Sequence, residues 1–379
     1  MVISPGNRPE PNRESTRVMV VDDSAVIRGL IVRALMAEPD IEVAASVADG
    51  LQAINTLKHN LVDVIVLDIE MPNMDGLTAL PQLLAIAPAV KIIMASTLTQ
   101  RNAEISLKAL SAGAADYLPK PQARELTGPS DFHRDLVDKV RGLGTAARRA
   151  GSRRRPEADA TGATAGAAQS IKPMIVPTRN FKLNKTSAVK PRIIAIGSST
   201  GGPQALLELM RHFARGIAQP IVITQHMPPT FTTLLADHVS RHCGLTAVEA
   251  KNGMVLEGGR AYIAPGNYHM TIMPNGERHA IQLNQDPPEN YCRPAVDPMM
   301  RSLAKNFGPA VLAIILTGMG QDGLEGCRAV VQAGGTLIAQ DEATSVVWGM
   351  PGAVALAGLC SAVLPLAEIG PRARARAIE

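Results

Sequence analysis

Aromatic residues are scarce. Phe, Trp and Tyr make up 3% of 379 residues, with a single Trp. Any core must therefore rest on Val, Ile, Leu, Ala and Met. Cysteine is sparse too: Cys243, Cys292, Cys327 and Cys360 stand far apart and form no paired spacing. That excludes a disulfide framework and fits a reduced, cytoplasmic protein. No run approaches the roughly 20 apolar residues needed to span a bilayer, so no membrane insertion is expected. The opening stretch, MVISPGNRPEPNREST, lacks the apolar segment of a secretory signal. A strong charge of one sign is missing as well. The net charge is +4, and the basic excess is local.

What is present is a strand–helix alternation, twice. Residues 1–16 are rich in Pro, Asn and charge and read as a disordered extension. From Arg17, VMVV, IEVAASV, VDVIVLD, VKIIMAS and AADYLPK read as five strands, with helical spacing between them. That predicts a five-stranded parallel sheet covered on both faces, over 17–140. Residues 141–190 are rich in Ala, Gly, Thr, Arg and Lys and predict a flexible basic linker. The β/α pattern resumes at Pro191, predicting a second, doubly wound parallel α/β domain over 191–379.

The first half concentrates carboxylates at strand ends. Asp22 and Asp23 close the first strand, and Asp68 closes the third, in LDIEMPNMDG. In a parallel sheet these ends share one edge, where ligands bind. Three carboxylates there repel one another unless a hard cation joins them, and Mg²⁺ suits oxygen ligands. Ser96 ends the fourth strand and Lys120 follows the fifth, each able to hold a phosphoryl oxygen. With VDDS, MAST and LPKP in order, the segment resembles the receiver domain of bacterial response regulators. The resemblance implies that Asp68 accepts a phosphoryl group from a histidine kinase. It implies that Asp22, Asp23, Asp68 and the Glu70 carbonyl hold Mg²⁺. It further implies that Ser96 and Lys120 bind the phosphoryl group and that Tyr117 responds to it.

The output lies in the second half. The linker arginines (Arg148, Arg149, Arg153, Arg154, Arg155) and the terminal RARAR read as solvated charge, and no helix-turn-helix pattern follows the linker. Nucleic acid is therefore not an expected partner. RIIAIGSSTGGPQAL is more telling. Its glycines, Gly197, Gly201 and Gly202, miss the dinucleotide spacing, and Pro203 replaces the P-loop lysine. The stretch does meet G-x-S-x-G, which exposes Ser199 on a strand-to-helix turn. His226, after the next apolar strand in IVITQHMPP, is the candidate base. His238 and His242 are four apart, but no third metal ligand is near. Asp322, in LTGMGQDG, is the best orienting acid. Asp286, Glu289, Asp297, Asp341 and Glu342 remain open, with Asp297 placed to cap a helix.

Residues 191 to about 370 resemble the catalytic domain of chemotaxis receptor methylesterases, the CheB family. The matching stretches are IGSSTGGPQAL, QHMPPTFT, YIAPGNYHM, CRPAVDP and LTGMGQDG. The resemblance implies Ser199 as nucleophile, His226 as base and Asp322 as orienting acid. It places Thr200 and Met319 at the active site, with the Met319 amide in the oxyanion hole and no cofactor for the esterase. It implies glutamate γ-methyl ester hydrolysis and glutamine deamidation on chemoreceptors, by a monomer whose unphosphorylated receiver covers the esterase site. The rival readings are an esterase or amidase on another protein, and a phosphorylation-gated binding module with an idle triad.

Overall fold

The computed structural model describes residues 15–97, 99–120, 131–152, 181–214 and 216–378. The chain forms two compact units. The expected extension over 1–16 lies outside the described residues except for Ser15 and Thr16, and Thr16 already belongs to the first strand.

The first domain alternates β1 (Thr16–Val21), α1 (Ala25–Met36), β2 (Ile41–Val47), α2 (Gly50–Leu57), β3 (Val64–Asp68), α3 (Gly76–Ile86), β4 (Lys91–Ser96), α4 (Gln100–Ser111), β5 (Asp116–Pro119) and α5 (Asp131–Ser152). The sheet is parallel, with order β2-β1-β3-β4-β5. Val64 to Leu67 and Ile92 to Met94 are almost fully buried, as expected of strands covered on both faces. The order reverses between β1 and β3, so Asp22 and Asp68 flank the switch point where ligands settle.

The linker expected from residue 141 starts later. Helix α5 runs through Ser152, because Leu136, Val137, Val140, Leu143 and Ala147 are buried at helical spacing. Arg148 belongs to this helix and donates to the Thr16 hydroxyl at 2.7 Å. Arg153, Arg154 and Arg155 lie outside the described residues. At the other end, 181–190 is fastened to the second domain. Asn184 donates to the Cys360 and Gly358 carbonyls, and Ser187 donates to Thr336 and Pro309.

The second domain runs through β6 (Ile193–Ser198), α6 (Gly202–Arg211), β7 (Ile221–Gln225), α7 (Phe231–Cys243), β8 (Thr246–Glu249), β9 (Arg260–Ile263), β10 (His269–Asn275), β11 (Arg278–Asn284), α8 (Val296–Phe307), β12 (Val311–Ile315), α9 (Leu324–Gln332), β13 (Thr336–Gln340), α10 (Met350–Leu356), β14 (Ala362–Leu364) and α11 (Leu366–Ile378). Seven strands form a parallel sheet, β14-β13-β12-β6-β7-β9-β8, which reverses direction at β6. The hairpin β10–β11 is the departure from a purely parallel pattern. It packs on α8, where Asn306 donates to the Ile272 carbonyl and the Ile272 amide donates to Ser302. The terminal RARAR lies in α11, and Arg376 donates to the carbonyls of Ser187 and Val189. No described helix is long and apolar enough to cross a membrane.

Candidate active site

Register brings Ser199 and His226 together. Ser198 pairs with Gln225 across β6 and β7, so the next residue of each strand leaves the sheet side by side. The His226 amide donates to the Ser198 carbonyl at 3.1 Å. Gln225, missed in the sequence, locks the corner. It accepts the Ser198 hydroxyl at 2.6 Å and donates to the Ser199 carbonyl at 2.9 Å. Gly201 then turns the chain at φ +76° into α6, a conformation that costs a side chain roughly 1–2 kcal/mol. Strand β12 is the other neighbour of β6, with Ile315 opposite Gly197. Its loop carries Gly318 against the serine, where a Cβ would come within 2.9 Å of the Ser199 Cβ and 2.4 Å of the Met350 Sδ. Met319 follows, half-buried. Thr200 is buried, and its carbonyl accepts the Thr317 hydroxyl at 2.9 Å.

Asp322 lies in the same loop and is 1% exposed. It accepts from His226 Nε2 at 2.7 Å. It also accepts from the amides of Val296 (2.6 Å), Asp297 (3.1 Å) and Gly323 (2.9 Å), and from Asn290 Nδ2 (3.2 Å). Two of those amides open α8, so the N-terminal end of that helix stabilises the carboxylate. Burial opposes the charge, yet the His226 bond and these amides outweigh it and hold Asp322 below the usual carboxylate range. Asp297 returns the favour, accepting the Gly326 amide in the first turn of α9 at 2.6 Å. It is the helix cap expected, on a neighbouring helix rather than its own. Burial, with the Asp322 charge adding, pushes its pKa up to about 6.

With Nε2 on Asp322, Nδ1 is the basic nitrogen of His226. Cys292 Sγ lies 3.4 Å from it. The Ser199 hydroxyl makes no hydrogen bond among the described residues. Such bonds in substrate-free enzymes are often long and tighten with substrate. Burial disfavours a charged imidazole, but Cys292 and Asp322 outweigh it and raise the His226 pKa above its ordinary 6.5.

The other acids sit elsewhere. Glu289 pairs with Arg301, Asp341 binds the Thr344 hydroxyl and amide, and Asp286 is exposed. Glu342 follows β13, one strand further from His226. His238 and His242 face each other on α7, and no third ligand joins them among the described residues. No strand end or periodicity pointed to Asn290 or Cys292 at this site, although Cys292 opens the matching stretch CRPAVDP.

In the first domain, Asp22 and Asp68 are buried and Asp23 is exposed, and one carboxylate oxygen from each lies within 4.8 Å of the other two. Lys120 Nζ bridges the two buried acids at 2.8 and 2.7 Å. Burial, with Asp22 adding, raises Asp68 to about 6 against the pull of Lys120. Ser96 is buried at the end of β4, and its carbonyl accepts the Lys120 amide at 2.7 Å. Tyr117 is buried on β5, and Glu70 is exposed just past β3. Three oxygen donors this close fit a hard divalent cation such as Mg²⁺.

Fold and geometry define the class: a response-regulator receiver in front of a doubly wound domain with a buried His226–Asp322 pair at the strand end beside Ser199. Comparison with known proteins narrows it. The family model described as CheB methylesterase matches residues 194–373, and that of the response regulator receiver domain matches 18–127. A protein-glutamate methylesterase/protein-glutamine glutaminase of Azospirillum brasilense is 62% identical, covering 95% of this chain and 92% of the relative. One of Rhodospirillum centenum, of its group 2 operon, is 58% identical over 96% and 94%. The crystal structure of the Thermotoga maritima CheB methylesterase catalytic domain is 38% identical. It covers 49% of this chain and 99% of that one, with a TM-score of 0.48. The chain belongs to the CheB family of methylesterases.

Proposed function

We propose that the protein is a phosphorylation-regulated serine hydrolase that demethylates glutamate γ-methyl esters, and deamidates particular glutamines, on chemoreceptors. The observation that carries the reading is the 2.7 Å bond between His226 and buried Asp322 at the strand end beside Ser199. The family and the names of its relatives supply the substrate.

Ser199 Oγ attacks the ester carbonyl while His226 Nδ1 takes its proton, displacing the Cys292 contact. The imidazolium formed is stabilised by Asp322 at Nε2. The oxyanion meets the Met319 amide and the Thr200 side of the α6 N-terminus. Methanol leaves with the proton from His226. Water then attacks the acyl-serine by the same route, releasing glutamate and restoring Ser199. A glutamine follows the same steps with ammonia leaving.

Asp68 is the phosphoryl acceptor, served by a histidine kinase of the chemotaxis type, and phosphorylation raises the hydrolase rate. Asp22, Asp23, Asp68 and the Glu70 carbonyl are the set to hold Mg²⁺, which would neutralise charge around the incoming phosphoryl group. Ser96 and Lys120 hold its oxygens, and buried Tyr117 responds to it. The protein works in the cytoplasm as a monomer. The test is methanol release from methylated chemoreceptor fragments, with and without acetyl phosphate and Mg²⁺. Ser199→Ala is expected to lose activity on the order of 10⁴-fold. A mutant keeping half the rate would remove Ser199 from its role.

A further inference from the structure

The turn between β11 and α8 has an unusual residue at its tip. Glu289 and Cys292 exchange backbone hydrogen bonds at 3.2 and 2.9 Å, leaving a two-residue turn of Asn290 and Tyr291. Both central residues have positive φ, +51° and +62°. Asn tolerates this region, and Gly is the favoured second residue of such a turn. A bulky Tyr there is strained. Strain held in a rigid surrounding points to use of the residue that carries it.

The surrounding is rigid, and its anchors are the hydrolase residues themselves. Asn290 donates to Asp297 at 3.0 Å and to Asp322 at 3.2 Å. Cys292 Sγ lies 3.4 Å from His226 Nδ1. Tyr291 lies between these two anchors and is 77% exposed. Glu289 is clamped by Arg301 on α8. Arg293 binds the Asn267 side chain at 2.8 Å, fastening the turn to the loop that follows β9. That loop carries Tyr268, 38% exposed. The chain has four tyrosines. Tyr117 and Tyr262 are buried, and the two exposed ones stand on these two joined loops.

We propose that Tyr291 is a substrate-contacting specificity residue, held beside the His226–Asp322 pair to grip the apolar flank of the helical protein segment that bears the scissile side chain. This rests on the hydrolase reading above. An ester on a helix must bring its neighbouring turns over the rim of the site, and the rim at that point is this ring. Aromatic side chains supply large, rigid contact area of the kind that dominates protein recognition.

The test compares Tyr291→Gly and Tyr291→Phe with the wild type, in the full chain with acetyl phosphate and Mg²⁺. Methanol release from methylated chemoreceptor fragments gives kcat and KM. Tyr291→Gly is expected to lower kcat/KM about 10-fold, mainly through KM. Its Tm should stay within about 3 °C of wild type, because relief of the turn offsets the freedom glycine adds to the unfolded chain. Tyr291→Phe, which keeps the ring, should stay within about threefold of wild type. Wild-type kcat/KM in the glycine variant overturns the proposal. So does a glycine variant that loses activity together with several degrees of Tm, which would make Tyr291 a structural residue. No methanol from the wild type would refute the reaction itself, and the role of Tyr291 with it.

Discussion

Replacing Asp322 by Asn tests the geometry most severely, because the two groups have nearly the same shape. One carboxylate oxygen, Oδ2, serves His226 Nε2 and the Val296 amide. The other serves Asp297, Gly323 and Asn290. An amide turns one of these acceptors into a donor. If the nitrogen takes the Oδ2 place, His226 must present an unprotonated Nε2 to it, which puts the proton on Nδ1. That is the atom that must receive the Ser199 proton, so the wrong tautomer is held. The corresponding change in serine proteases costs about 10⁴ in kcat, and a loss of that order is expected here. Whichever way the amide turns, at least one buried donor loses its acceptor: the Val296 amide in the first orientation, and the Asp297 and Gly323 amides with Asn290 in the second. At about 1–3 kcal/mol each, the domain should lose roughly 3 kcal/mol. That corresponds to a Tm drop of about 6–12 °C in a unit of this size. The assays are methanol release below the variant's Tm and thermal melting of the full chain. A variant with kcat within tenfold of wild type and an unmoved Tm would refute both the orienting role and the capping argument.

Two further outcomes follow from the same structure. His226 must be unprotonated to act, and Cys292 and Asp322 raise its pKa above 6.5 against the opposing effect of burial. The proton is therefore held to higher pH than in free histidine, and kcat/KM should climb with pH through a midpoint above 6.5. A midpoint at or below that value in a pH–rate profile would sink the reading of His226 as this base. In the first domain, Asp68→Asn removes the nucleophile that would carry the phosphoryl group. Acetyl phosphate with Mg²⁺ should then no longer stimulate methanol release, and stimulation that persists would place the acceptor elsewhere.

Local signals reached a long way here. Alternating apolar strands and helical spacing fixed two parallel sheets, because each strand's burial is written in its own residues, as in Val64 to Leu67. Strand ends then placed Asp22, Asp68, Ser199 and His226 at the carboxyl-terminal edges of the two sheets without any knowledge of packing. The hairpin β10–β11 was also legible, through Asn275 and Gly276 in MPNGER, although it stands outside the β/α alternation. The linker boundary failed for a different reason. The last turns of α5 bury only small or isolated apolar residues, Leu143 and Ala147, within an Ala- and Arg-rich stretch.

What stayed hidden depends on one element crossing another. Asp322 and Asp297 differ little as sequence: each is an acid beside glycine or proline near a helix start. Their roles separate only when α8 and α9 pack, so that each acid caps the other's helix. Asp322 faces His226 in that arrangement, and Asp297 does not. Asn290 and Cys292 come from a turn tied to no strand end, so no edge rule could place them. Their contacts with Asp322 and His226 exist because Glu289 is pinned to α8 and Arg293 to the loop after β9. The candidate site thus has two layers of different legibility. Residues that begin where a strand stops can be found from periodicity, and residues that hold those in place are found only from the contacts of the folded chain.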